Sequence, residues 1–355
     1  MTTGYREGTV TALVAERVDL IRVHIDTETG PVDAVAFPKL TGAVAVGDRV
    51  IVNTLGIDLD LGTGGDAFVL WNLSRPKTEA AAAGHIVKLR YSPLQTNVLA
   101  AEAPESPHHE ELREVTSIDG MPVVTCGLHA QVPAVAAGIK AARPGVRVAY
   151  VMNDAGALPL AWSDLVRTCR AADVLDLTCT YGHAFGGDLE AVNAFSALAA
   201  VRHAGDADAA IVGPGPGVVG TSTTLGFSTI DQGAVLDAAS ALGGIPIAAL
   251  RISFADPRPR HRGVSRHSIV ALTLGTRSRV TVAVPELPGG APDLSEALRP
   301  LAERHELLEA DGAPGLALLD ERGVVLRSMG RSLEATPELF LAASAAGAVA
   351  AGYYL

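Results

Sequence analysis

The segment 251–268 concentrates side chains that can bind anions. It holds five arginines and two histidines in a chain whose net charge is −11. Guanidinium groups repel one another unless they are solvated or face an anion, and they fit carboxylate and phosphate oxygens in bidentate geometry. The sequence therefore predicts a site for a small anion, with Arg251, Arg258, Arg260 and Arg262 as its ligands. The alternative is a solvated run of charge that pairs with acidic residues elsewhere.

The spacing of this segment also predicts its conformation. Pro257 and Pro259 favour extended backbone and disfavour helix. In an extended strand, the arginines at 258, 260 and 262 would point to one side, as a clamp does. Asp256, His261 and His267 are interleaved with them, and a histidine titrates near neutral pH. We expect these three residues to move a proton or to bind a metal.

A glycine-rich loop at 213–228 is the second candidate anion contact. Glycines turn backbone N–H groups toward a ligand, and hydroxyls before a helix add further donors. Gly217, Gly220, Thr221 and Thr223 are the predicted contacts. The loop lacks the Gly-Lys-Ser/Thr ending of a P-loop. A tight turn from a strand into a helix would account for the same glycines.

Two further loops carry imidazoles. His183 and Asp188 precede a predicted helix, where they could bind a divalent cation or form a general acid/base pair. Asp188 could equally cap that helix. His129 and Gln131 follow another predicted strand and could line the same pocket or cap a helix.

Two of these imidazoles lie close in sequence to cysteines, which raises the alternative of a metal site. The pairs Cys126/His129 and Cys179/His183 would supply two thiols and two imidazoles, but both thiols end apolar strands, where cysteine is a routine core residue. A divalent metal is therefore left open, without an assigned ligand set. The chain contains no Gly-x-Ser-x-Gly nucleophile elbow.

The elements that position these residues fall into two predicted domains. Short β-rich runs punctuated by turns predict a small antiparallel β-barrel over residues 1–74, followed by a linker at 74–84. Residues 85–355 alternate strands with helices, which predicts a doubly wound, mostly parallel α/β domain. The predicted strands are 122–126, 146–152, 174–179, 209–212, 246–250 and 323–327; the predicted helices are 132–142, 165–172, 189–204, 232–242, 293–303 and 337–351.

Ligands in such sheets lie beyond the carboxyl ends of the strands. Because each polar or glycine-rich loop follows a predicted strand, we expect all of them to converge on one edge of the sheet.

Composition limits the function classes. Net acidity argues against a broad nucleic-acid surface, and three cysteines without a disulfide pattern predict a reducing, cytoplasmic compartment. No secretory signal precedes the first strand. The apolar segment 339–355 could anchor in a membrane, but its small residues favour a helix packed on a neighbouring helix or on a second copy in a homo-oligomer.

Four of these segments resemble an uncharacterised bacterial family, common in Gram-positive lineages and described only as a domain of unknown function. The similar pieces are 128–131, 182–193, 220–227 and 251–267. The resemblance implies a chain of about this length and assigns no particular activity to it, and Cys126 and Cys179 lie outside the family pattern.

The function predicted from the residues is enzymatic: hydrolysis or group transfer on a small phosphorylated or carboxylated metabolite. The alternative is a ligand-sensing or scaffold protein that binds such an anion without transforming it. RNA binding through the barrel is a weaker reading, because its predicted strands lack a basic and aromatic face.

Overall fold

The computed structural model describes residues 4–61, 64–75 and 84–353. The chain separates into two compact units, residues 1–98 and 99–355. Residues 76–83, most of the predicted linker, lie outside the described part of the chain.

The first unit contains a closed barrel formed by five of its described strands, in the order β1-β2-β3-β5-β4. The predicted barrel is confirmed. One neighbouring pair, β3 with β5, is parallel rather than antiparallel, because strand direction cannot alternate all the way round a closed ring of five. The described elements are β1 (Tyr5–Glu16), β2 (Ile21–Thr27), β3 (Gly30–Ala36), α1 (Pro38–Thr41), β4 (Arg49–Asn53), α2 (Leu55–Asp58), β5 (Ala67–Asn72) and the hairpin strands β6 (Ile86–Lys88) and β7 (Thr96–Val98).

Alternate residues of the strands point inward and fill the barrel with apolar side chains. Ile21, Val23 and Ile25 of β2 are buried, while the residues between them are more exposed. At Gly8 of β1, a β-carbon would lie 2.5 Å from Ile25 Cγ2 and 2.7 Å from Asp26 O. Glycine is therefore required where the two strands approach most closely.

The second unit is built on a parallel sheet of eight described strands, in the order β11-β10-β9-β12-β8-β13-β16-β17. This confirms the predicted α/β class. Its strands are β8 (Pro122–Thr125), β9 (Val148–Asn153), β10 (Leu177–Thr180), β11 (Leu189–Glu190), β12 (Ala209–Pro214), β13 (Ile245–Ala249), β16 (Thr281–Pro285) and β17 (Glu306–Ala310); the short pairs β14 (Ile252–Ser253) with β15 (Gly263–Val264) and β18 (Arg327–Ser328) with β19 (Arg331–Ser332) lie outside it.

Helices cover both faces of this sheet. The helices are α3 (His109–Leu112), α4 (Val132–Ala142), α5 (Asp164–Ala171), α6 (Ala194–Ala199), α7 (Gln232–Ala241), α8 (Arg266–Thr273), α9 (Ser295–Ala302), α10 (Ala313–Glu321) and α11 (Pro337–Gly352). α4, α5, α10 and α11 pack on one face, and α6 to α9 pack on the other. The chain leaves β12 toward the second face, whereas it leaves the neighbouring strands β8 and β9 toward the first.

The apolar helix α11 is a core element. It packs on α4, where a β-carbon at Gly138 would lie 2.1 Å from Ser344 O and one at Gly347 would lie 2.1 Å from Val135 O. The small residues therefore permit close contact between the two helices, as predicted. No helix in the described ranges combines the length and apolar character needed to cross a bilayer.

Two predicted elements are corrected. The predicted helix 189–204 begins only at Ala194, because Leu189 and Glu190 pair with β10 as strand β11. Of the predicted strand 323–327, only Arg327 is in a strand, and it belongs to the β18–β19 hairpin.

Candidate functional site

The loops that follow the central strands contact one another at the carboxyl edge of the sheet. Gln131 Nε2, after β8, donates a hydrogen bond to Leu250 O at the end of β13, at 2.9 Å. The loops after β9 and β10 are joined by the backbone of His183, which donates to Asp154 Oδ2 at 2.9 Å. The side chain of Gln131 is thus a structural tie between two strand ends.

Three arginines converge on one carboxylate just beyond β13. Asp256 accepts hydrogen bonds from Arg258 Nε at 2.9 Å and Nη2 at 2.8 Å, and from Arg251 Nη2 at 3.1 Å. Arg331 Nη2, from the β18–β19 hairpin, lies 3.6 Å from the same oxygen, Oδ2. We call Arg251, Arg258, Arg331 and Asp256 the arginine cluster.

The arginine cluster carries excess positive charge in a sheltered place. The side chains of Arg251 and Asp256 are 6% and 0% exposed. Burial lowers the pKa of Arg251 to about 10, so it stays charged at neutral pH. The hydrogen bond from Arg258 holds the pKa of Asp256 well below its usual range. Three positive charges therefore face one negative charge, and Asp256 is a counter-ion with no proton to exchange at neutral pH.

Two guanidinium nitrogens near this edge have no acceptor among the described residues. Arg260 Nε and Arg331 Nε are both buried and make no hydrogen bond to the described protein atoms. A buried cationic donor without a partner costs free energy. Both nitrogens are therefore donors whose hydrogen-bonding capacity is unused among the described protein atoms.

The predicted extended clamp at 258–262 is wrong. Pro259–His261 form a 3-10 turn that begins after Arg258, because Asp256 accepts hydrogen bonds from both the backbone and the side chain of Arg258 and curls the segment back. Arg262 is exposed. The alternating arginines consequently do not share one side, and Arg331 completes the cluster instead.

The two histidines of the segment contact each other. The His261 and His267 rings meet edge to face with centroids 4.5 Å apart, and Ser265 Oγ lies 2.8 Å from His261 Nδ1. Burial, followed by the charge of Arg251, lowers the pKa of His261 to about 3 and that of His267 to about 4. Both imidazoles are neutral at pH 7.

The glycine-rich loop reaches these histidines. Phe227 stacks on His267 with ring centroids 3.9 Å apart. A β-carbon at Gly220 would lie 3.5 Å from His267 Cε1, and Arg266 Nη2 donates to Thr224 Oγ1 at 2.8 Å. The predicted convergence of the fourth and fifth loops is therefore present in the structure.

The tip of that loop forms a small hairpin whose polar groups bond to one another. Thr221 Oγ1 lies 3.0 Å from Thr223 Oγ1, and Thr223 Oγ1 also accepts from Gly226 N. Thr221, Thr223 and Gly217 are exposed. The loop contributes packing against His267 more than donors aimed at a ligand.

Asp188 does not cap a helix. Its Oδ2 accepts from Thr178 N at 2.8 Å and lies 3.3 Å from Arg170 Nη2. The cap of α6 is Asn193, whose side chain accepts from two backbone amides. The backbone N–H of His183 donates a hydrogen bond to Asp154, not to Asp188. Asp188 is thus engaged in bracing β10.

His129 forms a contact that the sequence did not indicate. Its Nε2 lies 2.7 Å from Ser163 Oγ, and its Nδ1 lies 3.2 Å from both Pro214 O and Tyr150 Oη. Burial lowers the pKa of His129 to about 4. Ser163 also caps α5 by accepting from Val166 N. A serine just before a helix is usually interpreted as a helix N-cap. Nothing in the sequence therefore indicates that Ser163 contacts His129.

The pairs Cys126/His129 and Cys179/His183 do not form a metal site. Cys126 packs in the core on one face of the sheet and Cys179 in the core on the other. Burial raises the pKa of the Cys126 thiol to about 12. Across the described ranges, no group of three or more histidine, cysteine, aspartate or glutamate side chains is placed to hold a metal ion.

A cavity of about 1030 Å³ lies beyond the carboxyl end of β16, lined by residues between 284 and 309. None of the predicted site residues lines it.

Comparison with known proteins gives one family. The model described as "Protein of unknown function (DUF3866)" matches residues 33–347. No curated protein matches the chain.

Proposed function

The chain belongs to this family of unknown function, and we propose that its α/β unit binds a small phosphorylated or carboxylated metabolite at the arginine cluster and hydrolyses or transfers a group from it. The observation that carries the proposal is the ratio of charges: three guanidiniums share one buried carboxylate. An anion that enters beside them balances this excess, and guanidinium forks suit planar oxygen pairs.

The orphaned donors support the same ligand. Arg331 Nε belongs to the arginine cluster, and Arg260 acts electrostatically on His267 next to it. An anion with several oxygens could accept from both nitrogens, whereas a neutral ligand would leave the excess charge uncompensated. The ligand class is therefore a compact anion.

The chemical step is assigned to the paired histidines. His267 is neutral at pH 7, so it can accept a proton, and an anion bound among the arginines raises its pKa toward the range useful for acid/base catalysis. His261 lies edge-on against it and is held by Ser265. Asp256 takes no part in proton transfer, since its charge holds the arginines.

A second candidate function is sensing of the same anion without chemistry. The bonding of Asp256 favours this second function. Asp256 is the acid closest in sequence to the two histidines, and its hydrogen bonds to arginines leave it unable to serve as a catalytic acid or base. The two functions differ in turnover. Under sensing, a ligand that stabilises the protein is recovered unchanged after long incubation; under catalysis, it is converted.

The binding proposal is tested with matched arginine variants. Arg331→Gln removes one cluster cation, whereas Arg327→Gln alters the opposite face of the same hairpin, because Ser328 pairs with Arg331 and Arg327 with Ser332. Thermal shifts are measured across a library of phosphorylated and carboxylated metabolites. We expect affinity for a stabilising anion to fall about tenfold in Arg331→Gln and to change less than about twofold in Arg327→Gln. Equal responses in the two variants would remove the arginine cluster from this role.

Location and partners follow as further proposals. The three cysteines are free and buried, which supports a reducing, cytoplasmic compartment. The resemblance to a bacterial family supports a bacterial origin. Neither nucleic acid nor a membrane is proposed as a partner. A homo-oligomer stays a prediction from the sequence, and the apolar C-terminal segment does not support it, because α11 is buried within its own chain.

A further inference from the structure

A methionine sulfur lies against the arginine cluster. Met329 Sδ is 3.1 Å from Arg258 Nη2, 3.8 Å from Arg251 Nη2 and 3.9 Å from Arg331 Nη2. The same three nitrogens lie 2.8–3.6 Å from Asp256 Oδ2. The sulfur is thus at the position from which an incoming oxygen would accept hydrogen bonds from all three guanidiniums.

The sulfur is also accessible. Met329 is at the tip of the β18–β19 hairpin and is 47% exposed, whereas Met121 and Met152 are 2% and 0% exposed. The three cysteines are buried. Among the described residues, Met329 is therefore the sulfur that a dissolved oxidant meets first.

We propose that Met329 is a modification site, oxidised by a peroxide to the sulfoxide, and that the sulfoxide oxygen closes the anion site by bonding to the arginine cluster. The inference rests on the proposed function, since it describes regulation of that same site. In the reaction, a sulfur lone pair attacks one oxygen of hydrogen peroxide and forms the S–O bond while the O–O bond breaks, and the departing hydroxide takes the proton from the transferred OH group. Sulfur loses two electrons, and the products are sulfoxide and water.

The change at Met329 is large because thioether sulfur is a weak acceptor and sulfoxide oxygen is a strong one. A hydrogen bond from a charged guanidinium to this oxygen is charge-assisted and stronger than one between neutral groups. The new oxygen competes directly with an anion for the same nitrogens. Because both would use the same nitrogens, we expect a bound anion to slow the oxidation of Met329.

The test uses the full chain, inorganic phosphate as the probe and hydrogen peroxide as the oxidant. Met329→Leu is the matched control, because leucine fills similar space and cannot be oxidised. Phosphate affinity is measured by calorimetry before and after peroxide, and peptide mass spectrometry locates the added oxygen. We expect oxidation at Met329, about tenfold weaker phosphate binding by the oxidised wild type, no change in Met329→Leu on treatment, and recovery after a methionine sulfoxide reductase.

The outcomes separate the two proposals. If untreated wild-type protein binds no phosphate and no member of the anion library, the proposed function fails, and the inference fails with it. If untreated protein binds phosphate but the oxidised protein binds it equally well, only the inference is overturned. Equal loss in wild type and Met329→Leu also overturns it, because damage elsewhere would then be the cause.

Discussion

Arginines of the barrel and arginines of the α/β unit meet carboxylates in different ratios. In the barrel, three arginines each lie against one carboxylate: Arg6 with Asp58, Arg49 with Glu7, and Arg75 with Asp48. In the α/β unit, Arg251, Arg258 and Arg331 converge on Asp256, which is fully buried.

The difference shows that arginine content does not identify a site. A paired arginine is electrically satisfied, and an exposed pair contributes little to stability. Three arginines on one carboxylate leave an excess of positive charge, and Arg251 and Asp256 are buried within it. The imbalance of charge is what distinguishes the arginine cluster from the one-to-one pairs of the barrel.

The largest expected effect comes from removing the central carboxylate. Asp256→Asn leaves three guanidiniums without a counter-ion, so we expect the free energy of unfolding to fall by about 3–5 kcal/mol. Urea denaturation measures it. A loss below about 1 kcal/mol would place the arginine cluster in the same class as the barrel pairs.

An added anion should restore part of that loss. Because Asp256→Asn increases the positive excess, sulfate at about ten times its dissociation constant should raise the free energy of unfolding by about 1.4 kcal/mol, and at equal sulfate it should stabilise the variant more than the wild type. Chloride at matched ionic strength is the control. Equal stabilisation by both salts would indicate screening alone.

A smaller effect is expected in the pH dependence of sulfate binding. His267 faces Arg251, Arg258, Arg260, His261 and Phe227, and its pKa in the free protein is lowered to about 4 by burial and then by Arg251. Bound sulfate raises that pKa, so the complex takes up a proton.

Affinity should therefore rise as the pH falls from about 7 to about 5, by roughly threefold. His267→Gln should flatten the dependence, whereas His24→Gln in the barrel, which removes an exposed histidine, should not. If the pH dependence of sulfate affinity persists in His267→Gln, the proton is taken up by another group.

The smallest effect on the free energy of unfolding is expected from breaking an ion pair of the barrel. Glu7→Gln breaks the contact with Arg49, and both side chains are about half exposed or more. We expect a loss of less than about 1 kcal/mol, reduced further by salt. A loss comparable with that of Asp256→Asn would remove the contrast between the two units.

Much of the fold follows from periodicity in the sequence. The strands at 122–125, 148–153, 209–214 and 245–249 are continuous apolar runs followed by helical patterns, which is typical of buried parallel strands. The parallel pairing of β3 with β5 could not be read this way, because it arises from closure of the ring. β11 was missed because a two-residue strand has no period.

The site was predictable only where its residues are close in sequence. Arg251, Asp256 and Arg258 lie within one segment, and local charge drew attention to them. Arg331 comes from a hairpin remote in sequence, with no local pattern that indicates its partner. The geometry of 258–262 was misjudged, because proline spacing indicated extended backbone while the bonds from Arg258 to Asp256 impose a turn.

The central position of α11 has a consequence for the order of events during synthesis. This helix covers the face of the sheet shared by α4 and α10 and contacts β8, β13 and β16, yet it is made after every strand and helix that it covers. A ribosome releases the barrel segment early, and that segment closes its own core. The parallel sheet must wait with part of its first face uncovered until residues 337–352 emerge, so apolar surface stays exposed longer in the nascent α/β unit than in the barrel.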